Sequence, residues 1–333
     1  MIESMEFKNF KVLRDCKLPL GPCNVLVGPN GSGKSTVLFA LELLGGRRVP
    51  EIDELVTADL RPDVQVVVEL FMTLGGMLPV FDLGYRWQRG TGTNVAIRGK
   101  PPDNDLRRAN AFRTRFRVYS LDARAIAAPV QLKKDMELGS DGAGLAGVLD
   151  ALRDHHPERF ALLNEALSQW IPEFSGLSFD LDREGRRFFF LRTATGGSKI
   201  PSAQLSQGTL LALAMLTLAY LPDPPTLIAL EEPDRGIHPR LLRRVRDALY
   251  RLAYPESCGE KRPAVQVVAT THSPYFLDQF AEHPEEIVIA NRVGDNVRFE
   301  RLSEQPYLEE VLSGAPLGEI WYTGILGGVP SES

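Results

Sequence analysis

Residues 28–36 read Gly28, Pro29, Asn30, Gly31, Ser32, Gly33, Lys34, Ser35 and Thr36, which places three glycines, three hydroxyls and one lysine in nine consecutive positions. Glycines let successive backbone N–H groups turn inward into an anion nest, and the positive end of a following helix strengthens it. Lys34 then reaches the β- and γ-phosphates, the Ser35 hydroxyl is a hard oxygen ligand suited to Mg²⁺, and Thr36 continues the helix. The chemistry is the cradling of a nucleoside triphosphate with its metal.

Three later stretches carry complementary chemistry. Leu205–Thr209, LSQGT, opens an apolar run with Ser206 placed as an N-cap, Gln207 beside it and the Gly208 amide at the positive end of a helix dipole. Taken alone, that pattern is equally an ordinary helix start. Thr226–Leu230 is continuously apolar and ends in Glu231 and Glu232, two carboxylates where open α/β sheets place ligands. Glu231 suits a Mg²⁺ shell, and Glu232 suits the orienting or deprotonation of an attacking water. His272, just past the apolar strand Val265–Thr270, is placed to sense a γ-phosphate, although a lone histidine is ordinarily a satisfied core residue.

The elements that must hold these groups can be read in order. Residues 5–27 predict paired strands, MEFKNFKVL and CNVLVG, joined by Leu20-Gly21-Pro22. A helix runs from the glycine loop to about Leu44 and stops at Gly45-Gly46. Strands are predicted at Val64–Phe71, Tyr85–Arg89 and Asn94–Arg98, the last two around a Gly-Thr-Gly turn. Ala111–Tyr119, AFRTRFRVY, alternates strictly and predicts a strand with Arg113, Arg115 and Arg117 on one face. That face either grips a phosphodiester backbone or is solvated and paired with nearby carboxylates. Gly144–Trp170 predicts two helices broken at Pro157, with His155 and His156 at a helix end rather than on a metal. Leu177–Leu181 and Phe188–Arg192 predict a hairpin, and Leu241–Ala253 an amphipathic helix whose start uses His238. Glu286–Ala290 and Val297–Leu302 read as strands, and Trp321 and Tyr322 as packing residues of the tail or as an exposed anchor.

Composition narrows the class. The chain has 333 residues, is 44% hydrophobic and carries a net charge of −5, so it can bury an ordinary core and has no global pull toward nucleic acid. Cys16, Cys23 and Cys258 show no metal spacing and read as reduced thiols of a cytoplasmic protein. MIESMEFKNF is too charged for a signal peptide, and the longest apolar run, Leu210–Leu221, is too short to cross a bilayer. No membrane contact is expected.

The four motifs in this order resemble the ABC-type ATPase head of the RecF, SMC, Rad50 and OLD group. The opening EFKNFKVLRD and the form LEEPDRGIHP resemble that group rather than membrane transporters. The resemblance implies an α/β P-loop NTPase fold with an antiparallel β lobe (1–100), a helical insertion (101–200) and a parallel-sheet lobe (201–333). It also implies a Mg-dependent ATPase that dimerises around two ATP, with Ser206, Gln207 and Gly208 of one copy on the γ-phosphate held by Gly28–Thr36 of the other. Glu231 stands where Asp is usual, and Gln207 where Gly is common. Gln131 is the candidate for the group's metal-contacting glutamine, and Asn9, Lys11 or Arg14 for adenine contacts. No long heptad tract occurs, so the coiled-coil arms are not expected. About sixty residues follow His272, too few for an appended Toprim nuclease domain. The implied role is a homodimeric switch in DNA repair or antiphage defence. It would act with a separate nuclease or effector subunit, or on DNA through Arg113, Arg115 and Arg117. The alternative is an ATP-gated scaffold that binds protein without touching DNA.

Overall fold

The computed structural model describes residues 1–46, 50–56, 67–75, 81–88, 92–306, 308 and 315–326. The chain begins with β1 (Ile2–Phe10), β2 (Leu13–Pro19), β3 (Cys23–Val27), α1 (Lys34–Leu44), α2 (Ile52–Leu55), β4 (Val67–Leu74), β5 (Asp82–Gln88) and β6 (Gly92–Arg98). It continues with α3 (Asp103–Arg113), β7 (Phe116–Tyr119), α4 (Ala123–Ala127), α5 (Leu145–His155), α6 (Pro157–Trp170), β8 (Phe174–Leu181), β9 (Arg187–Thr193) and β10 (Lys199–Pro201). Then come α7 (Gln207–Tyr220), β11 (Leu227–Glu231), α8 (Leu242–Ala253), β12 (Gln266–Thr270), α9 (Pro274–Leu277), β13 (Ile287–Val293), β14 (Asn296–Arg301) and α10 (Leu317–Tyr322).

Two compact units result, both discontinuous in sequence. The first comprises Met1–Val118, Pro225–Ala229 and Lys261–Ser333, the second Tyr119–Pro224 and Leu230–Glu260. The lobe boundaries expected near residues 100 and 200 do not coincide with these. Residues 64–66 of the expected Val64–Phe71 strand, Arg89, and Gly90 and Thr91 of the expected turn lie outside the described residues.

The first unit holds an antiparallel sheet in the order β2-β1-β4-β5-β6 and most of a mixed sheet in the order β14-β13-β3-β12-β11-β7. In the mixed sheet β3 pairs in parallel with β12 and with β13, and every residue of β3 is buried, as expected of a central parallel strand. The expected pairing of MEFKNFKVL with CNVLVG is not found. That first segment already contains a turn, so β1 pairs with β2, Phe7 opposite Cys16 and Phe10 opposite Leu13. Asn9 and Lys11 make the turn at φ 53° and 52°, a region that asparagine enters more readily than most residues. Leu20–Pro22 instead carries the chain from one sheet to the other. Two fully buried amides pin this crossing. Asn24 Oδ1 accepts from Gly21 N at 2.7 Å, while Gln266 accepts from Ile2 N at 2.8 Å and donates to Ile2 O at 2.7 Å and Gly21 O at 2.8 Å. A buried amide robbed of such partners costs about 1–3 kcal/mol, so the seam fixes the register of β1.

One core joins α1, through Val37, Leu38 and Leu41, to the inner faces of these strands. Phe10 stands at its centre, 6.0 Å from Phe7, 6.2 Å from Phe39 and 6.3 Å from Trp87 between ring centroids. On the solvent side of the antiparallel sheet, Glu69 accepts from Arg86 Nε at 2.7 Å and Arg98 Nη2 at 3.0 Å, and the Arg98 guanidinium lies over the Phe71 ring at 3.7 Å. Burial pushes the Glu69 carboxyl up, but the two arginines outweigh it and hold the group below its usual range. A depressed carboxyl stabilises the fold above its unfolded pKa, and that contribution is lost as pH falls through the folded value.

The expected arginine strand is not present. Helix α3 takes Arg113 as its last residue, a turn takes Thr114 and Arg115, and β7 begins only at Phe116. Asp103 and Asp105 in the first turn of α3 and Arg113 in the last match the helix dipole, which outweighs a short alternating pattern. Arg113 turns inward, donating to Leu44 O at 3.1 Å, Tyr85 Oη at 2.8 Å and Asn110 Oδ1 at 2.8 Å. Arg117 donates to Thr114 O and Phe116 O. Arg113, Arg115 and Arg117 thus sit on a helix end, a turn and a strand rather than on one strand face.

In the second unit α5 and α6 meet at Pro157, the first residue of α6, as expected, and His156 Nδ1 lies 3.8 Å from Glu158. β8, β9 and β10 form a small antiparallel sheet, which contains the expected hairpin. Residues Leu210–Ala219 of α7 are all buried, and the helix packs against α4, α6 and α8. Each buried leucine contributes roughly 2 kcal/mol, so α7 is the spine of this unit. The cysteines are free thiols: Cys16 is half-buried and pushed up to about 12 by burial and then by Asp15, Cys23 is buried, and Cys258 is exposed.

Candidate functional site

In the first unit the sequence order strand, glycine loop, helix is realised as β3, residues 28–33 and α1. Gly33 is the N-cap of α1 at φ 90°, and no side chain caps the helix. A Cβ at this position would lie 2.6 Å from Leu13 Cδ2, so both the backbone angle and the close approach require glycine. The Lys34 side chain is buried, and its Nζ donates to Gly28 O at 2.8 Å and Pro29 O at 2.9 Å, with Ser32 Oγ at 3.5 Å. The ammonium is therefore held at the floor of the glycine loop. Ser35 is exposed and Thr36 half-buried on the first turn, and Asn30 and Gly31 are exposed at the rim.

The neighbouring strand brings His272 to the same rim. Thr270 pairs with Leu26, and Thr271 N donates to Leu26 O at 3.1 Å, so His272 follows at the level of Gly28. Thr271 is fully buried and its Oγ1 accepts from Ser273 N at 3.0 Å, while Ser273 Oγ caps Phe276 N at 3.3 Å. His272 is exposed between these two anchors. Sequence reasoning passed over Thr271, because a threonine after a β-branched strand carries no signal of its own. Of the residues weighed for adenine, Asn9 Nδ2 donates to Val67 O at 3.0 Å, Lys11 Nζ lies 4.2 Å above the Phe39 ring, and Arg14 Nη1 is 3.6 Å from Asp295 Oδ2.

The second unit gathers the other two motifs. Ser206 is the N-cap of α7, and its Oγ accepts from Thr209 N at 3.1 Å and lies 2.8 Å from Thr209 Oγ1. Gly208 faces the turn after the acidic pair, where an added Cβ would come 2.9 Å from Gly236 O. The Gln207 side chain lies along the same Gly236. Glu231 closes β11, and Glu232 follows at φ 45°, a left-handed conformation that costs a non-glycine residue on the order of 1 kcal/mol or more. Glu232 O accepts from Arg235 N at 2.9 Å, and Arg235 Nη1 is 3.8 Å from Glu232 Oε2. His238 Nδ1 accepts from Arg240 N at 3.2 Å, the expected structural role.

Gln131 is exposed, next to Val130, which exchanges two 2.8 Å hydrogen bonds with Arg187. Arg187 and Arg153 in turn hold the buried Asp150 at 3.1 Å and 2.8 Å. The phosphate loop and His272 thus share one sheet, and the tip of α7 packs against the turn that follows the acidic pair. Among the described residues no group of three or more His, Cys, Asp or Glu could hold a metal by itself, and no helix is long and apolar enough to cross a membrane.

Comparison with known proteins bears on the family and the fold. Residues 93–278 match the family described as "AAA domain, putative AbiEii toxin, Type IV TA system", and residues 1–68 match the AAA ATPase domain. An OLD nuclease of Thermus scotoductus is 23% identical over 325 residues, covering 84% of this chain; the chain spans only 60% of that protein's length. The crystal structure of an SMC head bound to the C-terminal winged-helix domain of ScpA superposes with a TM-score of 0.65 at 16% identity, over 91% of this chain and 99% of that one. The SMC head domain from Thermotoga maritima gives 0.51 at 18%, over 90% and 98%. The fold is thus that of an ABC-type ATPase head, and, with more than half of its length matched, the chain belongs to the AAA-domain family whose description covers residues 93–278.

Proposed function

We propose that this protein hydrolyses ATP with Mg²⁺ and uses the cycle as a dimerisation switch. The observation that carries this reading is the buried Lys34 ammonium, held by Gly28 O and Pro29 O beneath an uncapped helix start, with His272 level with the loop. A buried cation in a glycine loop at a helix start suits a polyphosphate. Lys34 swings from the carbonyls to the β- and γ-phosphates. The oxygen donors Ser35 and Glu231 fit Mg²⁺, with Gln131 the third candidate; when bound, the ion neutralises the developing phosphate charge. Glu232 orients and deprotonates the water, and His272 hydrogen-bonds the γ-phosphate. Ser206, Gln207 and Gly208 serve the γ-phosphate of a second copy.

The OLD nuclease relationship supports a switch that controls DNA-related processing or a defence effector, with a separate nuclease as the acting partner. A protein partner is favoured over direct DNA contact, since Arg113 and Arg117 are engaged with the chain itself. In addition, Tyr275 of α9 and Tyr322 and Ile325 of the tail are 64%, 75% and 66% exposed, which offers apolar surface to such a partner.

The test is Glu232→Gln. Sedimentation with ATP and Mg²⁺ is expected to show a stable dimer with no turnover, against a transient one in the wild type. A variant that binds ATP and stays monomeric removes the switch.

A further inference from the structure

The short helix α10 lies against α9, the helix that His272 leads into, and two contacts make the fit tight. Gly318 N donates to Asp278 Oδ1 at 2.7 Å, and the Gly318 backbone sits so close to Pro274 that an added Cβ would lie 2.2 Å from Pro274 O and 2.6 Å from its carbonyl carbon. Pro274 is two residues past His272 and opens α9, whose cap is Ser273. Leu317, Ile320 and Trp321 bury the inner face of α10, and Phe276, Leu277 and Phe280 are the buried residues of the segment opposite. The His272–Pro274 segment is therefore clamped at both ends. The buried Thr271 holds it on the sheet side, and the Gly318–Asp278 contact holds it on the other.

We infer that α10 is a brace that sets the position of His272, with Gly318 and Asp278 as positioning residues. This rests on the reading of His272 as the γ-phosphate sensor. The brace carries no chemistry. It removes the freedom of a three-residue segment that would otherwise pivot about Thr271, and a misplacement of about 1 Å at a catalytic group costs on the order of 10²-fold in rate.

The experiment uses the full chain and four variants: Gly318→Ala, Asp278→Ala, Asp278→Asn and, as background, Lys34→Ala. Gly318→Ala and Asp278→Ala are expected to lower kcat for ATP at least tenfold with KM within twofold. Asp278→Asn keeps an acceptor oxygen and is expected to restore most of the rate. A merely structural contact would lower Tm and shift both constants together, and that pattern overturns the inference. Hydrogen exchange of Thr271–Phe276 is read alongside. Faster exchange there in Gly318→Ala, with the β3 amides unchanged, supports the brace, and unchanged exchange overturns it. If the wild type turns over ATP no faster than Lys34→Ala, the hydrolysis reading fails, and the exchange data alone decide the brace.

Discussion

Two helix starts in this molecule look alike in sequence and differ in how they are finished. α1 begins at Gly33, a glycine that offers no side-chain cap. α7 begins at Ser206, whose hydroxyl already accepts from Thr209 N. The ligand proposed for the first tip is an anion, the triphosphate of a nucleotide. The second has one amide capped by its own side chain, and it is seated by Gly208 against Gly236 beside the acidic pair. The two starts therefore differ in what their own side chains supply at the tip.

The largest effect that would break this contrast is at Gly33. Gly33→Ala must strain a φ of 90° and push into Leu13, so nucleotide affinity is expected to fall at least a hundredfold, read with a fluorescent ATP analogue. Retained affinity would mean that α1 tolerates a filled cap as α7 does. The smaller effect is at Ser206. Ser206→Ala is expected to cost about 1 kcal/mol of stability and Ser206→Gly only a few tenths. Neither should alter nucleotide affinity of the isolated chain, yet both should lower dimer-dependent turnover equally, since both lose the hydroxyl. Turnover that tracks Tm instead of the missing hydroxyl would reduce Ser206 to a cap.

Where spacing and physics coincided, the sequence was informative. The glycine loop, α1 to Leu44, the break at Pro157, the β8–β9 hairpin and the strands that end in Glu231 and Thr270 follow from local rules that packing does not override. Long-range facts were not legible. The partner of β1 was misread because Asn9 and Lys11 form a turn without glycine or proline, the usual signals. The arginine face failed because alternation over nine residues competes with helical spacing. Phe112 and Phe116, four apart, meet edge-to-face at 5.1 Å, a contact that fits the helix end equally well. The Gly318–Asp278 contact joins residues forty apart and leaves no trace in either segment alone.

The three thiols also differ in a way that can be used. Cys16 and Cys23 are withdrawn and hard to ionise, whereas Cys258 stands in the open at the end of the turn after α8. The native protein thus carries its own selective attachment point for a maleimide dye or spin label. Two labelled copies could report their mutual approach by energy transfer or dipolar spectroscopy, with no engineered cysteine required.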